Sequence, residues 1–451
     1  MLLLPVPNRV REPLGLLPSG NQRTSWWVLR NENFRFYFYG SVVSDLGTWL
    51  QNTAQVLLAY RLAHSVFAVG LVTCAQFSSP LVLGPWAGVM ADRFGGRKTL
   101  LGTQIASALI ATTLACLQWA GHLDEVGLVS GAILSGLAFA FALPARNVTV
   151  RRLVGGDEVS ARAAFVMDAV SYNLGRAIAP LLGIAVVYWF GYGWAFAGNA
   201  VSFVVFTLIL WRAGRFGAER RQRSRVMDGF HIAVSDGRVR VLLLMVAAVT
   251  VADDPVLVLG PALANHLGVS ASWSGWFIAA LGGGSVLGSL RRSKHVPSLR
   301  LAATALALLG CCMILFVTAP LVWLSVAAAL GAGLFCLVAN SATRTLLSKS
   351  AGPARLAPVM AVWAIAWAGS KPVASLLDGL LAGWIGVHWT GVVLALPALI
   401  PIIVMILAPS VGHRLVGNRT RGAEAEAKAE PEPAAAYPSA LLGSEVPVPV
   451  S

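Results

Sequence analysis

Charge is what this sequence has least of. Asp, Glu, Lys and Arg make up 12% of its 451 residues, about half the share usual in soluble domains. A soluble body of this size would still need polar groups over its surface. Cysteine is scarce, and no CxxC or His-x-Cys spacing is present, which argues against a metal centre and leaves no cofactor implied. The five cysteines (Cys74, Cys116, Cys311, Cys312, Cys336) fall in apolar runs and read as buried free thiols. No Gly-x-x-x-x-Gly-Lys-Ser/Thr string occurs, which argues against ATP as the energy source. No Ser/His/Asp set recurs at plausible depth, and none of the seven histidines lies at the centre of an apolar run. An enzyme is therefore not expected, and neither is a histidine proton relay. A cleavable leader is not expected either, since Met1–Leu4 is short and Pro5, Pro7, Pro13 and Pro18 interrupt the residues after it.

What is present is apolar surface. Hydrophobic residues make up 57% of the chain, and the mean hydropathy is +0.71. A helix needs about 20 apolar residues to cross roughly 30 Å of hydrocarbon. Such runs are predicted near 36–60, 66–87, 99–120, 126–145, 164–190, 193–211, 241–264, 273–290, 300–318, 320–341, 358–387 and 390–408. The net charge of +14 fits this map without a nucleic-acid partner, because the basic residues stand in short clusters between runs. With the N-terminus placed in the cytoplasm, the inner connections hold Arg93, Arg97 and Lys98, then Arg146, Arg151, Arg152 and Arg162, then the Arg-rich central segment. The outer connections hold essentially one basic residue, Arg61. This alternation is the one that positive residues impose on topology.

The expected organisation is a cytoplasmic segment 1–35, six helices in 36–211, a basic cytoplasmic linker 212–240, six helices in 241–408 and a disordered cytoplasmic tail 409–451. A faint internal repeat supports the division. Gly136-to-Gly191 and Gly333-to-Gly386 share a span, an Arg-bearing loop (Arg151-Arg152-Leu153 against Arg344-Thr345-Leu346), a methionine (Met167, Met360) and a span ending Trp-x-Gly. Related halves place a substrate site between them near mid-bilayer. The fold class is thus an all-α membrane protein of about twelve helices in two pseudo-symmetric halves.

Between the second and third spans stands Gly88-Val89-Met90-Ala91-Asp92-Arg93-Phe94-Gly95-Gly96-Arg97-Lys98. It resembles the signature loop of the major facilitator superfamily, with Gly96 at a position where that family usually has Arg or Lys. Gly88 would let two helices approach closely, and Gly95 would permit a tight turn. In that family the loop latches one conformation, a role the resemblance carries to Asp92, Arg93 and Arg97. Further strings, Asn31-Glu-Asn-Phe-Arg35, Ser44-Asp45-Leu-Gly-Thr-Trp49-Leu-Gln51 and Ser171-Tyr-Asn173-Leu-Gly175-Arg176-Ala-Ile-Ala-Pro180-Leu-Leu-Gly183, resemble the bacterial branch that includes enterobactin-type siderophore exporters. The last also resembles a Gly-Pro-rich fifth-helix motif associated with antiporters. The resemblance implies alternating access and favours export.

Ionisable residues inside spans are costly and mark functional positions. Ser41, Asp45, Thr48, Asn52 and Gln55 form one polar stripe at helical spacing; a watered cavity is the expected neighbour, a packed helix the alternative. Asp45 lies ten residues beyond Arg35, about 15 Å deep at the helical rise. Arg176, with Asn173 one turn before it, sits midway along the fifth span. Asp253 and Asp254 precede Pro255 in the seventh, where one carboxylate is expected to line the cavity or its mouth and the other to cap or hydrogen-bond. Lys371, Ser375 and Asp378 share a face in the eleventh. Two readings stand. In one, a carboxylate (Asp45 first, then Asp253 or Asp254) carries protons. In the other, static pairs (Asp45 with Arg176, Lys371 with Asp378) fix packing. The expected function is proton-driven export of a small amphipathic compound by a monomer in the bacterial inner membrane, surrounded by lipid and with both termini cytoplasmic. A lipid flippase or uptake porter, and a non-transporting sensor or scaffold, are the alternatives.

Overall fold

The computed structural model describes residues 25–212, 231–232, 234–290 and 298–407, except the side chains of residues 85, 92, 158, 290, 352–357 and 361. The expectations for residues 1–24, for most of the basic linker (213–230) and for the tail from 408 therefore lie outside the described residues. Contacts group the chain into a unit ending at Ile402 and a second from Ile403. The described part of the second is the last helical stretch, 403–407, which is largely exposed.

Every described element is helical, as lipid requires of a chain that must satisfy its backbone internally. A 3₁₀ turn, Ser25–Arg30, precedes α1 (Glu32–Ala63), α2 (Val66–Phe94), α3 (Gly96–Trp119), α4 (Glu125–Leu153), α5 (Glu158–Phe190) and α6 (Tyr192–Arg212). Then come α7 (Gly237–Asp253), the short α8 (Pro255–Val258) and α9 (Gly260–His266), α10 (Ser274–Leu290), α11 (Leu299–Thr318) and the continuous helical run α12 (Val322–Leu407). The starts are written locally. Asn31, Ser65, Asp124, Asp157, Asp236 and Ser298 each accept a backbone N–H from the first turn of the helix they precede. Asn31 also donates to the Leu153 carbonyl at 3.1 Å, so one side chain caps α1 and ties it to the end of α4.

The cap at Asp157 lies in the connection between α4 and α5. The hydroxyl and amide of Ser160 hold its carboxyl below the ordinary carboxylate range. Asp157→Ala is expected to cost about 1 kcal/mol at most, given the exposure of the site. The contribution is present above the unfolded carboxylate value near ~3.9 and disappears as pH falls through the lower folded value. Thermal unfolding of the purified protein and the variant, measured from neutral to acidic pH, checks both size and sign.

Among the described residues, eleven of the twelve predicted runs fall on one helix or a part of one, within a residue or two at their ends. Nine helical stretches among the described residues are long and apolar enough to cross a membrane by length and composition. The first run, on α1, falls short because its stripe is polar, and α10, with 17 residues, is just too short. The seventh run spans α7, α8 and α9, broken beside Pro255. The stretch Pro358–Leu407 has 50 residues, which would reach about 75 Å if straight. Gly386, at φ +82°, turns the chain there. The segment after it packs on α11, with Gly391 against Val317 and Gly310 against Ala395. In eight of the nine stretches only 28–50% of the window is buried, whereas the one spanning α7 and α8 is 78% buried. That element is therefore the central one. Outward faces carry residues such as Leu109, Val201 and Leu208, and exposed tryptophans (Trp86, Trp119, Trp189, Trp211, Trp384, Trp389) sit near ends of predicted spans, as at membrane interfaces. Cys116 and Cys311 also point outward, contrary to the expectation that all five thiols are buried.

Glycines set the helix spacing. A side chain at Gly136 would strike the Gln76 backbone of α2, and one at Gly333 would strike the Leu281 backbone of α10. Gly191 and Gly386, which close the two repeat units, both hold positive φ, at 91° and 82°. Both ends of the sequence repeat thus have equivalent structural roles. Gly282 rests on the Arg176 backbone, and Gly70 of α2 meets Ser375 and Gly379 of α12. These approaches, with those of Gly275 to Ile184 and Gly369 to Leu81, join α1–α6 to α7–α12.

Candidate functional site

Among the described residues, the interior of the bundle holds three charged networks. The first centres on Arg146 of α4. Its Nη1 and Nη2 each donate to Asp45 at 2.9 Å, and its Nε donates to Asp168 of α5 at 2.8 and 3.1 Å. Ser171 donates to Asp45 at 2.6 Å, Tyr37 donates to Asp168 at 3.0 Å, and Ser41 donates to Ser171 at 3.1 Å. One guanidinium fork therefore serves two carboxylates from two helices. Aromatic and aliphatic side chains, including Phe34, Leu100, Met167 and Phe206, close one side of the network.

The second network crosses the seam. Arg176 of α5 donates from Nη2 to Asp253 of α7 at 2.9 Å, and its guanidinium lies 5.5 Å from the Trp49 ring centroid. Cys336 of α12 approaches the same Asp253 oxygen at 3.8 Å. In the third network, Lys371 donates to Asp254 at 2.6 Å and lies over Phe77 of α2, while Ser375 donates to the other Asp254 oxygen at 2.5 Å. Asp378 is fully buried beside this pair, and neither of its oxygens has a hydrogen-bond partner among the described residues.

Several expectations need correction. Asp45 pairs with Arg146 rather than Arg176, and Lys371 pairs with Asp254 rather than Asp378. Asp254 stands at the junction of α7 and α8 and hydrogen-bonds, as expected of one of the two carboxylates, but its side chain makes no cap bond; Asp253 and Asp254 are both buried and both paired, to cations from different helices. Adjacent residues point about 100° apart on a helix, which lets them face α5 and α12. The polar stripe of α1 is packed rather than open. Asn52 accepts from Gln76 of α2 at 3.0 Å, and Gln51 links Gln55 (3.3 Å) to Asn199 of α6 (2.7 Å). Asn173 donates to its own helix at Ala169 and joins none of the three networks. Arg146 and Asp168 are site residues that the sequence does not single out. The fourth apolar run ends at residue 145, which puts Arg146 in a loop, whereas α4 runs through Pro144 to Leu153. Neighbouring helices relieve an internal proline in a membrane.

The signature loop is a one-residue connection. Gly95, at φ +87°, joins α2 to α3, as its predicted turn requires. The close helix approach expected at Gly88 is found instead at Gly96, where a side chain would strike Val148 and the Ala145 carbonyl of α4; Gly88 faces open space. Arg97 donates to the carbonyls of Leu210 and Trp211 at 3.0 and 2.7 Å. It therefore caps the C-terminus of α6, where a cation is favoured. Arg93 stacks on Phe94, Lys98 is exposed, and the side chain of Asp92 lies outside the described residues.

The described residues, an all-helical bundle with charges paired between helices and long apolar stretches, have the architecture of a polytopic membrane protein. The chain belongs to the family described as transmembrane secretion effector, of major facilitator type, whose profile matches residues 23–419. It is a multi-pass membrane protein of a transporter family, not of an enzyme family. A relative from Yersinia enterocolitica, named for multidrug resistance (MdtD), is 26% identical over 62% of this chain and 57% of its own length. A protein of the same name from Cronobacter sakazakii is 27% identical over 40% of this chain and 35% of its own. The chain thus spans little more than half, or less, of these relatives. Among solved structures, a bacterial homologue of the human lysosomal transporter Spinster, in an inward-facing, occupied state, superposes with a TM-score of 0.63 at 13% identity, covering 86% of this chain and 97% of that one. The nucleoside transporter NupG superposes with a TM-score of 0.63 at 11% identity over 82% and 99%. These two likenesses concern the fold.

Proposed function

We propose that this protein exports small amphipathic compounds by alternating access, driven by protons, as a monomer of two six-helix halves in the bacterial inner membrane with both termini inside. The observation that carries the reading is the sharing of Arg146 by Asp45 and Asp168. One guanidinium neutralises one carboxylate; the second negative charge inside the bundle calls for another cation or a proton. A proton bound while the triad faces one side of the membrane and released while it faces the other would couple its gradient to transport. Export is supported by relatives named for multidrug resistance and by the strings resembling enterobactin-type exporters. Asp92 and Arg93 act in this reading as the conformational latch, with Arg97 anchoring the loop to α6.

The first test compares small molecules inside and outside cells with and without the protein. A compound that accumulates inside the deletion strain and vanishes from its medium identifies the exported substrate; one left unconsumed outside means uptake instead. With that compound in proteoliposomes, Asp45→Asn is expected to lower accumulation driven by a pH gradient by about tenfold or more while leaving exchange at equal pH. Full gradient-driven accumulation in the variant would remove Asp45 as the coupling residue.

A further inference from the structure

Arg61 is the basic residue that the topology does not explain. It stands in the last turn of α1, on the membrane face opposite the signature loop, where lysine and arginine are otherwise nearly absent from the connections. Among the described residues no carboxylate pairs with it. Its guanidinium lies over the Tyr192 ring, 5.7 Å from the centroid.

Beside it is a cavity of about 330 Å³ formed by α1, α5, the start of α6, α9 and the connection from α9 to α10. That volume lies within the range of small-ligand sites. Its lining combines three kinds of group. Arg61 supplies the cation, Ser270 and Ser272 supply hydroxyls, and Ile184 and Val187 supply an apolar wall. Among the described residues, no acidic one lines it. Tyr188, which also lines it, is 82% exposed and starts an outward aromatic run with Trp189 and Phe190. The mouth is therefore at headgroup depth, where such residues gather. Asn265 donates to the Tyr60 hydroxyl at 3.1 Å across the cavity. The site is thus bounded on one side by α1, α5 and α6 and on the other by α9 and the segment after it.

From this geometry we propose that the cavity binds an anionic amphipath: a carboxylate, phosphate or sulfate held by Arg61 and the serine hydroxyls, with an apolar chain on Ile184 and Val187 leaving past Tyr188 into the bilayer. A cation kept at this membrane face without an acidic partner meets its counter-charge in the ligand, and the tyrosine face beneath it leaves its outer N–H groups free to donate. The ligand can come from the bilayer, as an anionic phospholipid, or from the transported pool, as a free single-chain amphipath. The inference does not rest on proton coupling or on the direction of transport.

The test is native mass spectrometry of the full-length protein released from a neutral detergent. Palmitoyl-oleoyl phosphatidylglycerol, the matching phosphatidylcholine and dodecanoate are added in turn. The anionic ligands are expected to be retained about tenfold more strongly than phosphatidylcholine, the difference one charge-assisted hydrogen-bond pair supplies. Arg61→Gln should abolish that preference and Arg61→Lys should keep most of it. Arg61 is exposed and contacts a ring, so an unchanged unfolding midpoint is expected for both variants. Phosphatidylglycerol that dodecanoate does not displace identifies the bilayer as the source; retention of dodecanoate alone identifies the free amphipath. Equal retention of charged and neutral ligands, or a preference that survives Arg61→Gln, overturns the assignment.

Discussion

Arg146→Gln is expected to be among the most damaging single substitutions in this protein, lowering its stability by about 3–5 kcal/mol and the yield of folded protein with it. The reason is what the change leaves behind. Asp45 and Asp168 lie in the interior between α1, α4 and α5, and Arg146 supplies four of the hydrogen bonds they accept. Without it, two carboxylates face each other with only Ser171 and Tyr37 as donors. Total stabilities run to about 5–15 kcal/mol, so the loss is a large share. The triple variant Arg146→Gln, Asp45→Asn, Asp168→Asn removes the charges together. It should recover most of the unfolding midpoint, because a buried charge network can be replaced at little net cost, while remaining inactive in gradient-driven transport. Thermal unfolding in detergent separates the cases. A single variant as stable as the parent would mean that water reaches the triad and screens it. A triple variant that stays unstable would mean that the hydrogen-bond geometry, not the charge, holds the helices.

Much of the fold is legible in the sequence because membrane helices are written in long apolar runs and punctuated by caps. Asn31, Ser65, Asp124 and Asp157 stand where the structure starts its helices, and the glycine pairs Gly136/Gly333 and Gly191/Gly386 signal the repeat. The interior charges are legible as residues but not as pairs. Asp45, Arg176, Asp253, Asp254 and Lys371 all stand out in their spans, yet both expected pairs are crossed. Pairing depends on which way each side chain turns. Gly175 rests on the backbone of Asp45, so Arg176, about 100° further round α5, faces α7 instead. Arg146 escapes notice because Pro144 reads as a helix end in water. Gly96 looks like a departure from a motif, whereas it is the point at which α3 can lie against α4.

Neutralising the Arg176–Asp253 pair is expected to change conformation more than stability. The pair joins α5 to α7 across the seam, and Gly282 of α10 sits on the Arg176 backbone beside it. Any rocking of α1–α6 against α7–α12 must stretch or break this contact, whereas Lys371–Asp254 moves with its own group of helices. Asp253→Ala alone leaves a buried guanidinium without its carboxylate and should destabilise by about 3–5 kcal/mol. The double change Arg176→Gln, Asp253→Asn removes both charges and should restore most of that loss while lowering the barrier to separation. Cys336 reports the difference. It is buried with its sulfur at Asp253, and a background in which Cys74, Cys116, Cys311 and Cys312 are replaced by alanine makes it the sole thiol. Maleimide labelling of Cys336 in membranes is expected to accelerate by about tenfold in the double variant, as about 1.4 kcal/mol in the opening equilibrium would produce. A labelling rate equal to the parent's, in a variant equally stable, would make the pair a static packing element. In that case the seam would be governed by the backbone contacts at Gly70 and Gly282, and Gly282→Ala, not the charge change, would alter the rate.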